Sequence, residues 1–510
     1  MREVIGLLGI FPFITWLLTH KKYRDIAAPY NLFTFLYVVN IMLPMLLYMD
    51  VSTAQTINES YIRKAVLSDS TYIMYVLLQT ASYYLVVFGT KLRLGKSSTE
   101  YLNNNELEMQ TTDITVQKKY RYVGIVLWLI GAVAFLKIMS EVGGIYYFFT
   151  HLQYRSSLTR DMDVLSWILP FVNYGVLFIV YSYKGTNKKL NIKIIFLIII
   201  SGLMSGLGGR KALLILLIEV LLLYHYCVKK IDIRKFFKAK YVIGLIGIYF
   251  FFILMTNFRT EGAFETFLSN PLAFTKESNS GLLSTIRTES YVTFYMAIIE
   301  YFKTHSLWLG KTFLGLITAI IPSSIFPAKS PVDDGTYLYS ICQGRSDIVP
   351  PMPFSQLNGS SYPLETFGSM YGNFGLMGLF LGMIVLGGIY GYAYRKMKKN
   401  SYDLFSVVIY TQIIFTFQLS TLRIFQLFEI IVVFKIITAV VDRQISWGGV
   451  QDYELINCIY YGITPSAIII EKKIKTVHNT LKKKSILSTI DRIMNKHLIY
   501  NSLNVGGQLS

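Results

Sequence analysis

Apolar runs of about 16–25 residues recur along the 510-residue chain, each long enough to cross a hydrocarbon core of ~30 Å as a helix. A chain built this way has few folds open to it. Lipid offers the backbone no hydrogen-bond partners, so such runs satisfy their own N–H and C=O groups as helices. The runs fall at 3–19, 26–49, 71–90, 122–139, 164–183, 194–208, 211–228, 241–256, 370–394, 404–420 and 424–441. They predict an all-α polytopic membrane protein of about 11 spans, within a range of 10–14. Composition agrees: 53% of residues are hydrophobic and 15% charged, against roughly a quarter charged in soluble domains. No small-residue cleavage site follows the first run, which therefore reads as a span rather than a cleaved signal.

The connectors sort into two kinds. Those at 20–25, 91–121, 184–193, 229–240 and 395–400 are strongly basic, whereas the alternating ones at 50–70, 140–163, 209–210, 257–370 and 421–423 are not. Lys/Arg bias predicts the basic set in the cytoplasm, with the N-terminus outside and the tail inside. The same bias accounts for the net charge of +19 without nucleic acid, because the basic residues cluster beside the spans. Cys227, Cys342 and Cys458 share no compartment in this topology, so no disulfide framework is expected.

The 257–370 connector is the one long stretch that is neither a span nor a short basic link. It holds eight of the chain's thirteen prolines, and seven basic residues against nine acidic ones. It is expected to be segmented, turn-rich and extracytoplasmic. Within it, 281–302 reads as an amphipathic helix. The run 312–327 is apolar enough to cross, but a lone crossing would put the basic 395–400 connector outside, so it is expected to be re-entrant or interfacial. The same reasoning applies to 455–470. Residues 1–441 thus form the membrane domain, and 442–510 a basic cytoplasmic tail held against anionic headgroups.

Several positions carry chemistry or a bland equivalent. Gly208 and Gly209 allow backbone angles closed to other residues. Arg210 and Lys211 then open the next helix, where N–H groups favour anions; two cations there make sense if a phosphate is the third party. Snorkelling to the interface explains the same pair. Glu219 lies mid-span, roughly 13 Å below Arg210, where a carboxylate is costly; a hydrogen bond between helices would satisfy it. His151 and Arg155, four apart, would share one helical face, and His151 could act as a general base; a solvated amphipathic helix fits equally. Asp333–Asp334 could bind a metal, but adjacent loop aspartates are usually solvated. Gly375, Gly378, Gly382, Gly387, Gly388 and Gly391 are expected to let helices approach closely.

The order of these motifs resembles a known family. A Gly-Gly-Arg turn lies between two spans, an Arg-bearing helix in a large outer loop, then a Pro…Pro-Ala-Lys segment, then YGNFGLMG opening a glycine-rich span. This is similar to the bacterial oligosaccharide repeat unit polymerases, the Wzy-type O-antigen and capsule polymerases, over roughly 140–440. Carried over by position, Arg210 matches the turn arginine and Arg287 the loop-helix arginine. Pro322, Pro327 and Lys329 match the Pro/Lys segment, and Asn373 and Gly375 the span opening. Two positions depart: Ser323 stands where the family often has Arg, and Ser369 where it often has an acid one turn before the asparagine. The nearest acid is Glu365.

The resemblance implies a metal-independent, cofactor-free C-type glycosyltransferase in the bacterial plasma membrane. Such an enzyme joins undecaprenyl-diphosphate-linked oligosaccharides at the outer face, alongside a chain-length regulator and a flippase. Arg210 and Arg287, with Arg155, Lys329 and Lys211, would hold the diphosphate, since Arg binds phosphate bidentately and keeps its charge. Glu289 or Glu365, with His151 behind them, would accept the hydroxyl proton. Tyrosines and other aromatics could supply sugar-stacking surfaces. Other readings are an O-antigen ligase, a flippase or other transporter, which should show inverted repeats, and a non-enzymatic scaffold.

Overall fold

The computed structural model describes residues 2–20, 25, 27–50, 57, 59–92, 114–159, 162–186, 190–207, 209–231, 263–270, 291–319, 321 and 325–447. Among them every regular element is helical and no strand occurs. The chain divides into two compact units, Met1–Val441, which carries the helices described below, and Asp442–Ser510.

Seven helices among the described residues are long and apolar enough to span a bilayer: Arg2–Thr19, Pro29–Leu47, Asp69–Lys91, Val116–Val142, Val164–Tyr181, Lys211–Val228 and Glu365–Lys399. The chain is a multi-pass α-helical membrane protein. Two expected spans form shorter apolar helices, Ile192–Gly206 and Leu404–Phe415. The 424–441 run lies within the 27-residue helix Thr421–Trp447, and 241–256 lies outside the described residues, as do 281–290 and 455–470. Of the expected 281–302 helix, Val292–Tyr301 is helical.

Local signals set the helix ends. The Ser68 side chain accepts the Thr71 N–H, Asp69 lies in the first turn and Lys91 in the last, so both ends of that helix oppose its dipole with the right charge. Asn191 and Asp403 cap Ile192–Gly206 and Leu404–Phe415 in the same way. Val116–Val142 shows the lipid-facing pattern: Tyr122, Leu129, Val133 and Leu136 are exposed while Leu127, Ala134 and Ile138 are buried, a helical stripe whose solvent is hydrocarbon.

The two kinds of connector meet their own kind. At one end, the Asp25 carboxylate accepts from the hydroxyls of Tyr226 and Tyr394, the Arg395 guanidinium donates to the carbonyls of Thr90 and Leu92, and Cys227 contacts Tyr402 O. Gln117 and Arg121 reach Lys184 and Tyr183. Every residue in these links lies in or beside a basic connector. The non-basic connectors pair separately: Tyr362 with Glu59, Lys303 and Glu300 with Thr71, and Arg2 with Asp69.

One feature differs from expectation. The helix Glu365–Lys399 is two helices joined at Gly375, whose φ 64°, ψ −150° is a conformation essentially restricted to glycine. A Cβ on Gly382 would meet Met370 Cγ at 2.5 Å, so 365–374 folds back along 376–399. Gly375 is therefore a bend rather than a packing contact, and Gly378 and Gly382 receive the returning arm. The long connector supports the bend: the N–H groups of Trp308 and Leu309 donate to the carbonyls of Gly372 and Asn373, the orphan acceptors of the arm's last turn. Gly387 and Gly391 behave as expected, since Cβ atoms there would overlap the carbonyls of Val86 and Thr90.

The 312–327 run is expected not to cross, and among its described residues the regular structure is a 3-10 turn and the five-residue helix Leu314–Thr318, about 8 Å long at ~1.5 Å per residue, too short to cross.

Candidate functional site

Folding 365–374 back places Glu365 about 15 Å from the Gly375 bend at ~1.5 Å per residue, inside the bundle rather than at its rim. The Arg423 Nη2 donates to Glu365 Oε1 at 2.9 Å, with the side chains 16% and 9% exposed. The other carboxylate oxygen, Oε2, is buried with no hydrogen-bond partner. The backbone of Glu365 sits in the left-handed region at φ 48°, which costs a residue with a side chain of order 1–3 kcal/mol. A strained, half-satisfied, buried carboxylate is not what packing alone would select.

Cations gather around it. Coulombic interactions link Lys211, which is exposed, to Arg423 and Glu365. Arg210 opens the helix Arg210–Leu223, and its N-cap is Gly209. The backbone of Gly209 is ordinary, φ −86° and ψ 131°, so the glycine is not there for its angles. A Cβ at 209 would lie 2.8 Å from Nη1 of Arg155; the missing side chain makes room for that guanidinium. Among the described residues of the turn Leu207 is left-handed, at φ 43°, and Gly208 lies outside the described residues. Arg155 of connector 140–163 thus lies against the 209–210 turn, and Lys211 beside that turn couples to Glu365 of 257–370 and Arg423 of 421–423; all four connectors belong to the non-basic set.

Beside the ion pair lies a buried polar network. Ser369 Oγ donates to Asp334 Oδ2 at 2.7 Å, and the Asp334 N–H donates to Thr421 Oγ1 at 3.2 Å. Asn373 Nδ2 donates to Thr312 Oγ1 and to Ser369 O, both at 2.8 Å. Asp334 is 1% exposed, which corrects the expectation of a solvated Asp pair. Burial pushes its carboxyl up to about 7; the Ser369 bond opposes this and neighbouring Asp333 adds to it. Ser369 stands where the family pattern often has an acid, and here it binds one supplied from elsewhere in the chain.

The remaining positions separate. His151 ends the helix Ile145–Thr150 and Arg155 begins the next, Arg155–Leu158. The expected common helical face is therefore broken between them. The His151 ring stacks on Tyr147 at 4.1 Å, with Nδ1 3.0 Å from Tyr147 O. Lys329 donates to Ile321 O at 2.6 Å and lines an open cleft of about 500 Å³ with Pro327, Pro331, Phe354, Ser355 and Leu357. Arg287, Glu289 and Pro322 lie outside the described residues, and the Arg210 side chain is likewise not described. Glu219 is buried and accepts from Gln412 Nε2 at 2.7 Å, the inter-helix bond expected for it.

Arg423 was not legible as a site residue. The sequence reads 421–423 as a short turn, whereas the structure puts Arg423 in the first turn of the helix Thr421–Trp447, and the folded-back 365–374 arm brings Glu365 to it. Comparison with known proteins finds no matching family model, no matching curated protein and no matching solved structure, so the reading of this site rests on its own geometry.

Proposed function

We propose that the chain is a metal-independent oligosaccharide repeat unit polymerase of the outer face of the bacterial plasma membrane. It takes a glycan from undecaprenyl diphosphate and joins it to a sugar hydroxyl on a second lipid-linked repeat, forming O-antigen or capsular polysaccharide. The observation that carries this reading is the buried Glu365 carboxylate, with one oxygen on Arg423 and the other unpartnered, and with Lys211 coupled to both residues.

Each group has a task in that reaction. The acceptor oxygen attacks the anomeric carbon, the bond from that carbon to the phosphate oxygen breaks, and the electron pair leaves with the diphosphate. Glu365 Oε2 accepts the hydroxyl proton. Lys211, Arg155, Arg210 and Arg287 meet the charge that grows on the diphosphate, in surroundings of low dielectric where fixed cations act strongly. The cleft beside Lys329, with Phe354 and Ser355 in its wall, offers an aromatic face and hydroxyls suited to sugar. Glu365 serves as base better than His151, whose ring is held by Tyr147.

The test is a gel of surface glycan from a deletion strain complemented with Glu365→Gln. Loss of the ladder with one lipid-linked repeat remaining is expected. Long chains left unattached would identify a ligase instead, and a wild-type ladder would remove Glu365 from the chemistry.

A further inference from the structure

The Arg423 guanidinium is not saturated by its neighbours. It donates to Gln426 Oε1 at 3.0 Å and to Glu365 Oε1 at 2.9 Å. Those two bonds use two of the five N–H groups of a guanidinium, and the side chain is 16% exposed. Arg423 therefore still has N–H donors to offer an anion that reaches it. Glu365, by contrast, is under-satisfied: one oxygen depends on Arg423 and the other has no partner. Lys211 couples electrostatically to both members, and Asp333 to Arg423.

Resting on the polymerase reading, we infer that Arg423 is a ligand of the lipid diphosphate and exchanges partners during the reaction, leaving Glu365 for the phosphate oxygens and so releasing that carboxylate as the proton acceptor. A phosphate offers the guanidinium a second planar, bidentate fit. When the diphosphate takes Arg423, Glu365 Oε1 gives up the one hydrogen bond it receives among the described residues, and the carboxylate faces the acceptor hydroxyl with both oxygens. Without the donor, Arg423 occupies Oε1.

The experiment is a binding titration of the detergent-solubilised full chain with farnesyl diphosphate and, separately, inorganic pyrophosphate. Arg423→Gln is expected to weaken farnesyl diphosphate binding about tenfold or more, the usual scale for a charged hydrogen bond. Glu365→Gln is expected to tighten it severalfold, because the competing carboxylate is gone. In the Arg423→Gln background, Glu365→Gln should lose most of that gain, a severalfold coupling that a double-mutant cycle reads directly. Arg423→Lys, which keeps the charge and loses the fork, should fall between wild type and Arg423→Gln and guards against loss of fold.

A merely structural ion pair predicts the opposite sign: both single variants bind no tighter than wild type. Glu365→Gln binding no tighter than wild type, or tightening equally in the Arg423→Gln background, overturns the exchange and leaves the polymerase reading standing. Wild-type protein that ignores farnesyl diphosphate overturns both. Pyrophosphate bound as tightly as farnesyl diphosphate overturns the lipid as the source of the anion.

Discussion

At the scale of single residues, the site is built from groups whose burial is costly. Asp334 is 1% exposed and its carboxyl is raised from 3.8 to about 7, so the folded state favours the protonated form. A raised folded value means the stabilisation is complete below the unfolded value and is lost as pH rises through the folded one. Thermal melting in detergent should therefore show stability falling between about pH 4 and pH 7 and levelling above that. Asp334→Asn, which keeps an acceptor for Ser369, should flatten that slope; an unchanged slope would assign it to other groups. Glu219 makes the complementary case. Its one donor among the described residues is Gln412, and Gln412→Leu should destabilise the protein by about 1–3 kcal/mol, the cost of an orphaned buried acceptor, measured by the same melts. Neither partner could be named from sequence. Asp334 is 35 positions from Ser369 and Glu219 is 193 from Gln412, and nothing in local pattern links such distances.

Among the elements, the helix pair 69–91 and 365–399 depends on glycines at their crossing. Gly387 faces Val86 O and Gly391 faces Thr90 O so closely that no Cβ fits. Gly387→Leu must push the backbones apart, and overpacking of this kind costs about 1–3 kcal/mol or more. A melting temperature equal to wild type would show that the helices are not held this closely. The run of small residues suggested close approach, and for Gly387 and Gly391 that is what the fold contains. For Gly375 the same composition concealed a different role. A glycine that permits contact and one that permits a bend look alike in a sequence, because both simply lack a side chain. The span expected at 370–394 accordingly begins earlier, at Glu365, with an arm that folds back. That arm sets the depth of Glu365, which a straight helix would have left at the rim.

For the molecule as a whole, the sorting of connectors is the strongest regularity. Basic connectors contact one another at one end, while the non-basic ones pair with one another and converge on Glu365 and Arg423. Single cysteines at Ser401 and Ser360, both exposed, placed in a chain whose Cys227, Cys342 and Cys458 are changed to Ser, should react with an impermeant maleimide from opposite sides of the membrane. Ser360 should label in intact cells and Ser401 only after lysis. Labelling of both from one side would overturn the topology.

Apolar run length and Lys/Arg bias sufficed to establish a multi-pass helical protein and to group its connectors, because insertion in a bilayer depends on local hydrophobicity and flanking charge. Those are properties of contiguous residues. Which acid meets which cation depends instead on where the chain bends and what it packs against. Arg423 beside Glu365, Arg155 beside Gly209 and Asp334 beside Ser369 exist only because a glycine-only backbone angle at 375 and the short helix 404–415 bring distant turns together. Long-range contacts of that kind arise from tertiary packing, and the structure alone decided them.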